Sequence, residues 1–554
     1  MDFHQNNHFS HSNMKTLSNK IYILTAALFA SAASMTAQEL KSAFFTEDFM
    51  YRHTMDPSIG NDQNYVAIPI LGNINTNLQG SLGVGDLFFK NPDFGKVAGA
   101  KKTATFMHPG LTDAEALKGF KEGANTLLFD NDLNIISIGF KSFNGYNTIE
   151  LKERTHFGVS LPYDFFKFAR NIRNENYQFG DLGVRGWSYA ELAFGHSRLL
   201  FNNLRIGAKV KFLFGGAYAN VSAEGLHANL QGDQWELAGK VRGEVSMKGA
   251  SFKSKDAEYK SRFTNNVDAQ GNKIPQKYQK FDGIDVNGPG LGGFGLGLDL
   301  GASFELSEFP VDELNGLKLS VALTDLGFIS WKNNVVAESS GQPFIFNGFR
   351  DFSVKEESGQ TVGNMVDSYG DQLKDFINLE NKGDEGGKTR GLASTLRVGL
   401  EYPLPVYDKI QFGFLFTRRF DSQYSWSDSR ISANYTPLKW LDGGINIAFS
   451  SFCTSMGWII NFHPNGFNFF VGMDHMIGKT GAKMVPLNSN FSFNVGMNIA
   501  WGGKKKSSKE LKTLRFCKRP DIQDELKPAD DKAEKKDGQK STQSAPADQK
   551  AKQN

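Results

Sequence analysis

Charged side chains at every second position of extended stretches are the residues of this sequence whose types and spacing could support chemistry. Glu150, Lys152, Arg154 and His156 share one face of a single stretch. Further charges of both signs recur in the same way, at Glu191, Arg205, Lys209, Lys211, Asp299, Glu305, Arg397 and Glu401. Such residues could line a selective path for a ligand. Alternatively, they could form ion pairs that close an interior, which is the interpretation we favour.

The local motifs of enzymes and cofactor sites do not occur in the sequence. There is no Gly-x-Ser-x-Gly, no His-Glu-x-x-His and no Cys-x-x-Cys, and the two cysteines are far apart. The 10 histidines are scattered, so local spacing assembles no nucleophile and base. We therefore predict a protein that is not an enzyme, with no catalytic residues, no cofactor and no metal ligands.

Long strands with alternating apolar and polar residues must position these charges. The alternation is clear in Leu204–Phe214, Phe294–Leu306 and Phe491–Trp501, where one face is apolar and the other carries Gly, Asn or charge. These stretches run for about 9–13 residues, and a tilted strand needs about 9–11 residues to cross a bilayer. A mean hydropathy of -0.38 argues against a bundle of membrane-spanning helices.

Three features favour a membrane barrel over a soluble β-rich adhesin. Glycine is frequent on the polar faces, and short turns alternate with long polar loops such as 249–289 and 333–390. Tryptophans stand at strand ends, as an aromatic girdle requires: Trp331, Trp426, Trp440 and Trp501. We predict an all-β fold, a transmembrane outer-membrane β-barrel of about 14 antiparallel strands. The stretch 216–247 is either two membrane strands or an external β-extension.

One strand breaks its own pattern. Thr324-Asp325-Leu326-Gly327-Phe328 interrupts the alternation that begins at Leu317, and Asp325 would otherwise face lipid at a high cost. We predict a bulge or kink at Asp325 and Gly327 that turns the carboxylate inward. Such a break can make a lateral opening, or it can mark the external membrane boundary.

Both ends of the chain differ from the alternating body. Residues 1–37 read as a leader and signal peptide, with a probable start at Met14, an apolar stretch from Ile21 and cleavage after Ala37. Residues 504–554 hold 15 basic and 9 acidic residues and few large apolar ones, which predicts a disordered periplasmic tail. The tail is a candidate contact for peptidoglycan or a periplasmic partner. The remaining body is mildly acidic, which argues against nucleic-acid binding.

Residues 38–132 are less regular than the residues that follow them. We assign a plug and the first strands to residues 38–132. Within them, Asp86–Asp130, with mixed loop and short helix, is the part that could fold into the lumen. Residues 133–503 are assigned to the barrel proper. The surrounding outer-membrane lipid is the expected partner of its apolar faces.

An ordered series of short motifs resembles an uncharacterised family of Bacteroidetes outer-membrane barrels, a domain of unknown function. The series comprises Ile149–Phe157, Tyr189–Ser197, Leu204–Gly216, Asp299–Gly301, Thr324–Trp331, Pro437–Leu441 and Phe491–Gly502. The architecture is similar to FadL-type and PorV-type barrels. The resemblance implies transport of hydrophobic molecules through a plugged barrel, or assistance to secretion.

We expect passive transport or channelling of small, hydrophobic solutes. The alternatives are a structural or secretion-partner barrel with a closed lumen and a soluble secreted adhesin.

Overall fold

The computed structural model describes residues 39–201, 203–232, 234–306, 316–347, 362–404, 407, 409–475 and 490–502. The predicted leader and the predicted tail lie outside these residues. Within them, no helix has the length and apolar character needed to cross a membrane.

The structure is built almost wholly from strands. The strands are β1 (Asn64–Ala67), β2 (Ile74–Gly80), β3 (Phe88–Lys90), β4 (Thr103–Thr105), β5 (Ala124–Ser142), β6 (Gly145–Pro162), β7 (Asn176–Gln178), β8 (Gly183–Leu199), β9 (Leu204–Leu230), β10 (Trp235–Met247), β11 (Ala250–Val267), β12 (Lys273–Val286), β13 (Gly293–Glu305), β14 (Lys318–Trp331), β15 (Val335–Ser339), β16 (Phe344–Phe346), β17 (Leu379–Asp384), β18 (Lys388–Gly391), β19 (Ser394–Pro403), β20 (Ile410–Phe420), β21 (Trp426–Leu438), β22 (Leu441–Ser450), β23 (Thr454–Phe462), β24 (Asn468–Met473) and β25 (Phe491–Trp501). The helices are α1 (Arg52–Met55), α2 (Val84–Leu87), α3 (Asp113–Leu117), α4 (Tyr163–Arg170) and α5 (Val362–Ile377), with 3₁₀ turns at Lys41–Ala43 and Ser422–Tyr424.

Fourteen antiparallel strands close into a barrel, which confirms the predicted fold class. The first barrel strand is split into β1 and β2, and the others are β5, β6, β8, β9, β13, β14 and β19 to β25. The last strand returns to the first, because Asn64 pairs with Trp501 and Leu78 pairs with Phe491. We call the end of the barrel at Asn64 and Trp501 the lower end, and the opposite end the upper end.

The alternation predicted from sequence places apolar side chains on the outer face of the wall. Several large apolar side chains there are more than a third exposed: Ile206, Val210, Phe294, Leu296, Leu300, Phe412, Phe414, Ile445, Ile447, Ile460 and Ile499. Exposed apolar surface of this extent is unfavourable in water and favourable in lipid. The wall therefore has the surface of an outer-membrane-type barrel.

The predicted tryptophan girdle is half wrong. Trp440 and Trp501 are exposed on the outer face at the lower end. Trp331 and Trp426 instead point into the barrel and are 1% exposed. Their side chains obey the alternation of their own strands, and position at a strand end does not decide which face a residue occupies.

The stretch 216–247 forms an external β-extension rather than two membrane strands. The upper part of β9 pairs with β10 from Ala217 to Leu230. Strand β10 continues to β15 and β16, and β17 links β15 to the β11–β12 hairpin. We call this set of strands the extension. It projects beyond the upper end of the barrel wall.

Residues 39–63, which we call the plug, lie inside the barrel. Leu40, Ala43, Phe44, Phe49 and Met55 are at most 2% exposed and pack with wall residues in one apolar cluster. The stretch that sequence favoured for this role, Asp86–Asp130, does not fill the lumen. Its α3 region packs with α4 in a separate cluster around Phe106, Phe120 and Phe166, and its last residues begin β5.

Candidate functional site in the barrel lumen

Close approach between plug and wall explains five of the glycines on the polar strand faces. A Cβ atom at Gly207 would overlap the Pro57 carbonyl oxygen, and one at Gly413 would overlap the Phe45 ring. The same holds for Gly301 with Asp56, for Gly399 with Phe44 and for Gly457 with Ser42. These five glycines lie on five different strands, so the wall is shaped to hold the plug around much of its circumference.

The first turn of the plug is held by one buried carboxylate. Asp474 accepts hydrogen bonds from the backbone N–H of Lys41 (3.0 Å) and Ser42 (2.6 Å) and from the Ser42 hydroxyl (2.7 Å). The Lys41 ammonium lies 3.1 Å from Asp428, which also pairs with Arg430 at 3.0 Å. Charge-assisted hydrogen bonds of this kind are the strong ones in a protein interior.

Two predicted residues bind other parts of the plug. Arg397 pairs with Glu39 at 2.5 Å and donates a hydrogen bond to the Met55 carbonyl oxygen at 3.3 Å. Glu401 lies 3.6 Å from the Arg52 guanidinium and 3.2 Å from the Lys318 ammonium. Both residues therefore connect the wall to the plug.

A second group of predicted residues lies at mid-height. Glu150 pairs with Lys209 at 2.5 Å and with Lys152 at 3.1 Å, and the plug residue His53 lies 3.9 Å from it. The Glu150 side chain is fully buried and the Lys209 side chain is 2% exposed. A buried carboxylate needs such partners because an unpaired charge in a dry interior is very costly.

A third group forms around the kinked residue. Asp325 has φ of 60°, and the ladder between β13 and β14 shifts register beside it. Its carboxylate turns inward to Arg154 (2.7 Å) and Lys211 (2.6 Å), while its backbone N–H donates to Asp299 at 2.7 Å. Arg154 also pairs with Glu191 at 3.1 Å and with Asp132 at 3.0 Å. Four predicted charges and the predicted kink thus meet in one network.

Gly327 completes the kink. A Cβ atom there would overlap the Leu296 carbonyl oxygen on β13, so the close approach of the two strands requires glycine. On the other side of β14, the partner strand changes at the kink. Thr324 pairs with Thr395 of β19, whereas Phe328 pairs with Gly391 of β18. The hydrogen bond from the Leu392 N–H to the Gly327 carbonyl oxygen (2.9 Å) bridges this step.

An aromatic layer lies above the charged network. Its members are Trp187, Tyr189, Leu213, Tyr218, Ile329 and Trp331, all at most 7% exposed. Beside it, His156 contacts Asp130 at 2.7 Å, and Asp130 pairs with Arg419 at 3.5 Å. The lumen thus changes from plug, to buried charge, to aromatic surface along the barrel axis.

All twelve predicted lumen residues are buried, each at most 8% exposed. Nine of them fall in the groups described above, and His156 lies beside the aromatic layer. Arg205 lies toward the lower end, where its guanidinium is 3.3 Å from the Ser197 hydroxyl, and Glu305 stands opposite Lys318 in the register of β13 and β14. Sequence reasoning missed Asp130, Asp428, Arg430 and Asp474. Asp428 and Arg430 alternate on β21, so the same period-2 pattern could have identified them.

Comparison with known proteins places the chain in a family. The model of a family of unknown function, DUF5723, matches residues 57–474. The chain belongs to this family. The matched residues run from the last part of the plug to the upper end of β24, so nearly the whole barrel is a family feature. No curated protein sequence matches this chain.

Solved structures with a related outline are outer-membrane barrels of low sequence identity. The toluene transporter TbuX of Ralstonia pickettii is 10% identical with a TM-score of 0.34, and the match covers 85% of this chain and 96% of that one. The toluene transporter TodX of Pseudomonas putida is 7% identical, with a TM-score of 0.31 and coverage of 84% and 94%. A FadL homologue of Pseudomonas aeruginosa is 9% identical, with a TM-score of 0.33 and coverage of 84% and 96%.

Proposed function

We propose that the protein is an outer-membrane barrel that passes a small hydrophobic solute through a lumen gated by its plug. The observation that carries the proposal is the plug itself, because residues 39–63 occupy the interior of a closed 14-strand barrel. A solute that crosses this lumen has to displace part of the plug. The protein then acts as a gated carrier of solutes and not as a permanently open pore.

The aromatic layer supports a hydrophobic solute. Trp187, Tyr218 and Trp331 form a buried aromatic layer at the upper end, above the charged network, and a solute would contact their rings when this layer opens. Among the described residues, the indole N–H groups of Trp187 and Trp331 have no hydrogen-bond acceptor. A site with apolar walls and a few oriented polar groups is typical of small-molecule binding.

The gate can be tested by locking it with a disulfide. Ser58 of the plug and Ser303 of β13 are both buried, and their hydroxyl oxygens lie 3.2 Å apart. We expect S58C/S303C, in a background with Cys453 and Cys517 changed to serine, to form a disulfide with only a small increase in side-chain size. The measurement is uptake of a labelled fatty acid by Gram-negative cells that lack their own hydrophobic-solute barrel.

The locked variant should lose at least tenfold in uptake, and a reductant should restore it. The single variants S58C and S303C are the matched controls and should transport like the parent. Uptake by the oxidised double variant at the parent rate would contradict the gate. Absence of uptake by the parent itself would contradict hydrophobic transport altogether.

A second variant opens the gate instead. Asp474→Asn keeps the size of the anchor but removes the charge that holds Lys41 and Ser42. We expect faster uptake and faster hydrogen exchange in residues 40–46. Unchanged exchange in that segment would show that Asp474 does not restrain the plug.

The extension favours one alternative function, a secretion-partner barrel with a closed lumen. Strands β10 to β12 and β15 to β17 project above the wall, and much of the β11–β12 hairpin is exposed. A protein partner that co-purifies with the parent and is lost when residues 250–286 are replaced by a short turn, together with no uptake, would support this alternative.

Export to the outer membrane is part of the proposal. It retains the predicted signal peptide with cleavage after Ala37. N-terminal sequencing of the protein purified from outer membranes tests it, and a first residue other than Gln38 would contradict this cleavage site.

A further inference from the structure

Three side chains that could bind a metal converge at the lower end of the lumen. They are Asp48 of the plug, Asp442 at the start of β22 and His463 just after β23, and their candidate ligand atoms all lie within 4.8 Å of one another. His463 Nε2 is 3.5 Å from Asp442 Oδ1 and 3.7 Å from Asp48 Oδ2. The group joins the plug to two wall strands.

The distances suit a tetrahedral cation. Two ligands on Zn²⁺ at about 2.0–2.1 Å lie about 3.4 Å from each other. An imidazole nitrogen with two carboxylate oxygens is a donor set for Zn²⁺ or a similar transition metal, whereas Mg²⁺ and Ca²⁺ prefer oxygen alone. The fourth position is left for water, as in other zinc sites with three protein ligands.

Burial gives an independent sign of a ligand. The Asp442 side chain is 2% exposed, and its Oδ1 accepts no hydrogen bond from the described residues. Its other oxygen, Oδ2, accepts the backbone N–H of Asp48 at 3.3 Å, which fixes the carboxylate with Oδ1 turned toward His463. A backbone hydrogen bond to a coordinating carboxylate is the kind of support that orients ligands in metal sites.

The three ligand residues belong to two parts of the barrel, the plug and the wall. Asp48 lies between the apolar plug residues Phe45 and Phe49, while Asp442 and His463 belong to the β22–β23 hairpin of the wall. We propose that a transition-metal cation of the Zn²⁺ class binds Asp48, Asp442 and His463 and pins the plug to the barrel wall. This inference rests on the proposed function only in treating the plug as the gate.

Metal binding is tested first, on the full mature chain in detergent micelles without a histidine tag. Equilibrium dialysis against Zn²⁺ should give one ion per chain, and Co²⁺ should give the absorption of a tetrahedral complex. Both signals should be lost in Asp48→Asn and His463→Gln. Mg²⁺ should not compete.

A matched control removes another histidine–carboxylate pair. His108 Nε2 lies 3.5 Å from Asp93 Oδ2, the same separation as in the proposed site, but this pair is more exposed and the described residues offer it no third ligand. His108→Gln should bind Zn²⁺ like the parent. Heat-modifiable migration in electrophoresis confirms that each variant is a folded barrel.

Hydrogen exchange tests the pinning. Zn²⁺ should slow exchange of residues 40–56 at least tenfold in the parent and in His108→Gln, and it should have no effect in Asp48→Asn or His463→Gln. Failure of the parent to bind Zn²⁺ more tightly than His463→Gln would overturn the site. Binding without slower plug exchange would overturn the pinning. Neither measurement involves transport, so failure of the proposed function is seen separately in the uptake experiment.

Discussion

Charged residues cluster both inside the barrel and in the extension, but the two clusters differ in their access to water. In the lumen, the side chains of Glu150 and Lys209 are at most 2% exposed. In the extension, Lys240 pairs with Glu338 at 2.8 Å although the lysine side chain is 47% exposed. The distance between the paired atoms is similar in the two pairs, 2.5 Å and 2.8 Å, so it does not show how much each pair contributes to stability.

The difference follows from solvation. An exposed pair exchanges one set of favourable contacts, with water, for another, and its net contribution is about 0–1 kcal/mol. A buried pair has lost its water, so removal of one partner leaves a charge that nothing solvates, at a cost of about 3–5 kcal/mol. The lumen network should therefore tolerate little change, while the extension should tolerate much.

The largest expected effect comes from the centre of the lumen network. Arg154→Met removes the cation shared by Asp325, Glu191 and Asp132. We expect the free energy of unfolding to fall by about 3–5 kcal/mol, measured by urea denaturation of the folded barrel in micelles. A loss below about 1 kcal/mol would mean that water solvates these carboxylates.

The next effect concerns the fit of the plug. Gly413→Ala places a methyl group against the Phe45 ring and should lower the free energy of unfolding by about 1–3 kcal/mol, with faster hydrogen exchange in the plug. Gly180→Ala is the control, because no atom lies within 4 Å of a Cβ there. Equal stability of the two variants would remove the argument that glycines make room for the plug.

Low pH should destabilise the extension by protonating the Glu244 carboxylate. Burial raises the pKa of Glu244, but the hydrogen bond from Lys388 and the charge of Arg390 outweigh it and lower the pKa to about 2. The ionised form is thus the stabilising one. Its contribution is complete above the ordinary pKa of glutamate and is lost as the pH falls toward about 2.

Glu244→Gln provides the comparison for this titration. The parent extension should be more stable than the variant at pH 6, and the difference should vanish near pH 2. Hydrogen exchange of residues 235–247, corrected for the intrinsic effect of pH on exchange, measures it. A difference that persists at pH 2 would show that the charge of Glu244 is not its cause.

The smallest effect is expected at the exposed pair. Lys240→Ala should change the free energy of unfolding far less than Arg154→Met does, and added salt should erase what change there is. Urea denaturation at low and high salt measures both. A loss as large as that of Arg154→Met would end the distinction between the two clusters.

Strand alternation made the wall predictable. In Leu204–Phe214 the apolar positions alternate with Arg205, Gly207, Lys209 and Lys211, and the structure places these two sets on opposite faces. The kink was predictable too, because Asp325 stands where the pattern expects an apolar residue. A period of two is a local property, so it can be read from one strand at a time.

The plug was not predictable in the same way. Residues 39–63 follow neither a helical nor a strand period, and their apolar residues become a core only because the closed wall surrounds them. Trp331 and Trp426 were assigned to the wrong face for a related reason, since a strand end is visible in sequence but the direction of its last side chain depends on register.

By itself, the sequence determined the barrel class, the charged face of its wall strands and the site of the kink, because all of these depend on neighbouring residues. Only the tertiary structure decided which charges meet, that residues 39–63 fill the lumen, and that Asp48 joins Asp442 and His463. These contacts join different strands and the plug, with Asp48 and Asp442 394 positions apart, and closure of the barrel brings them together.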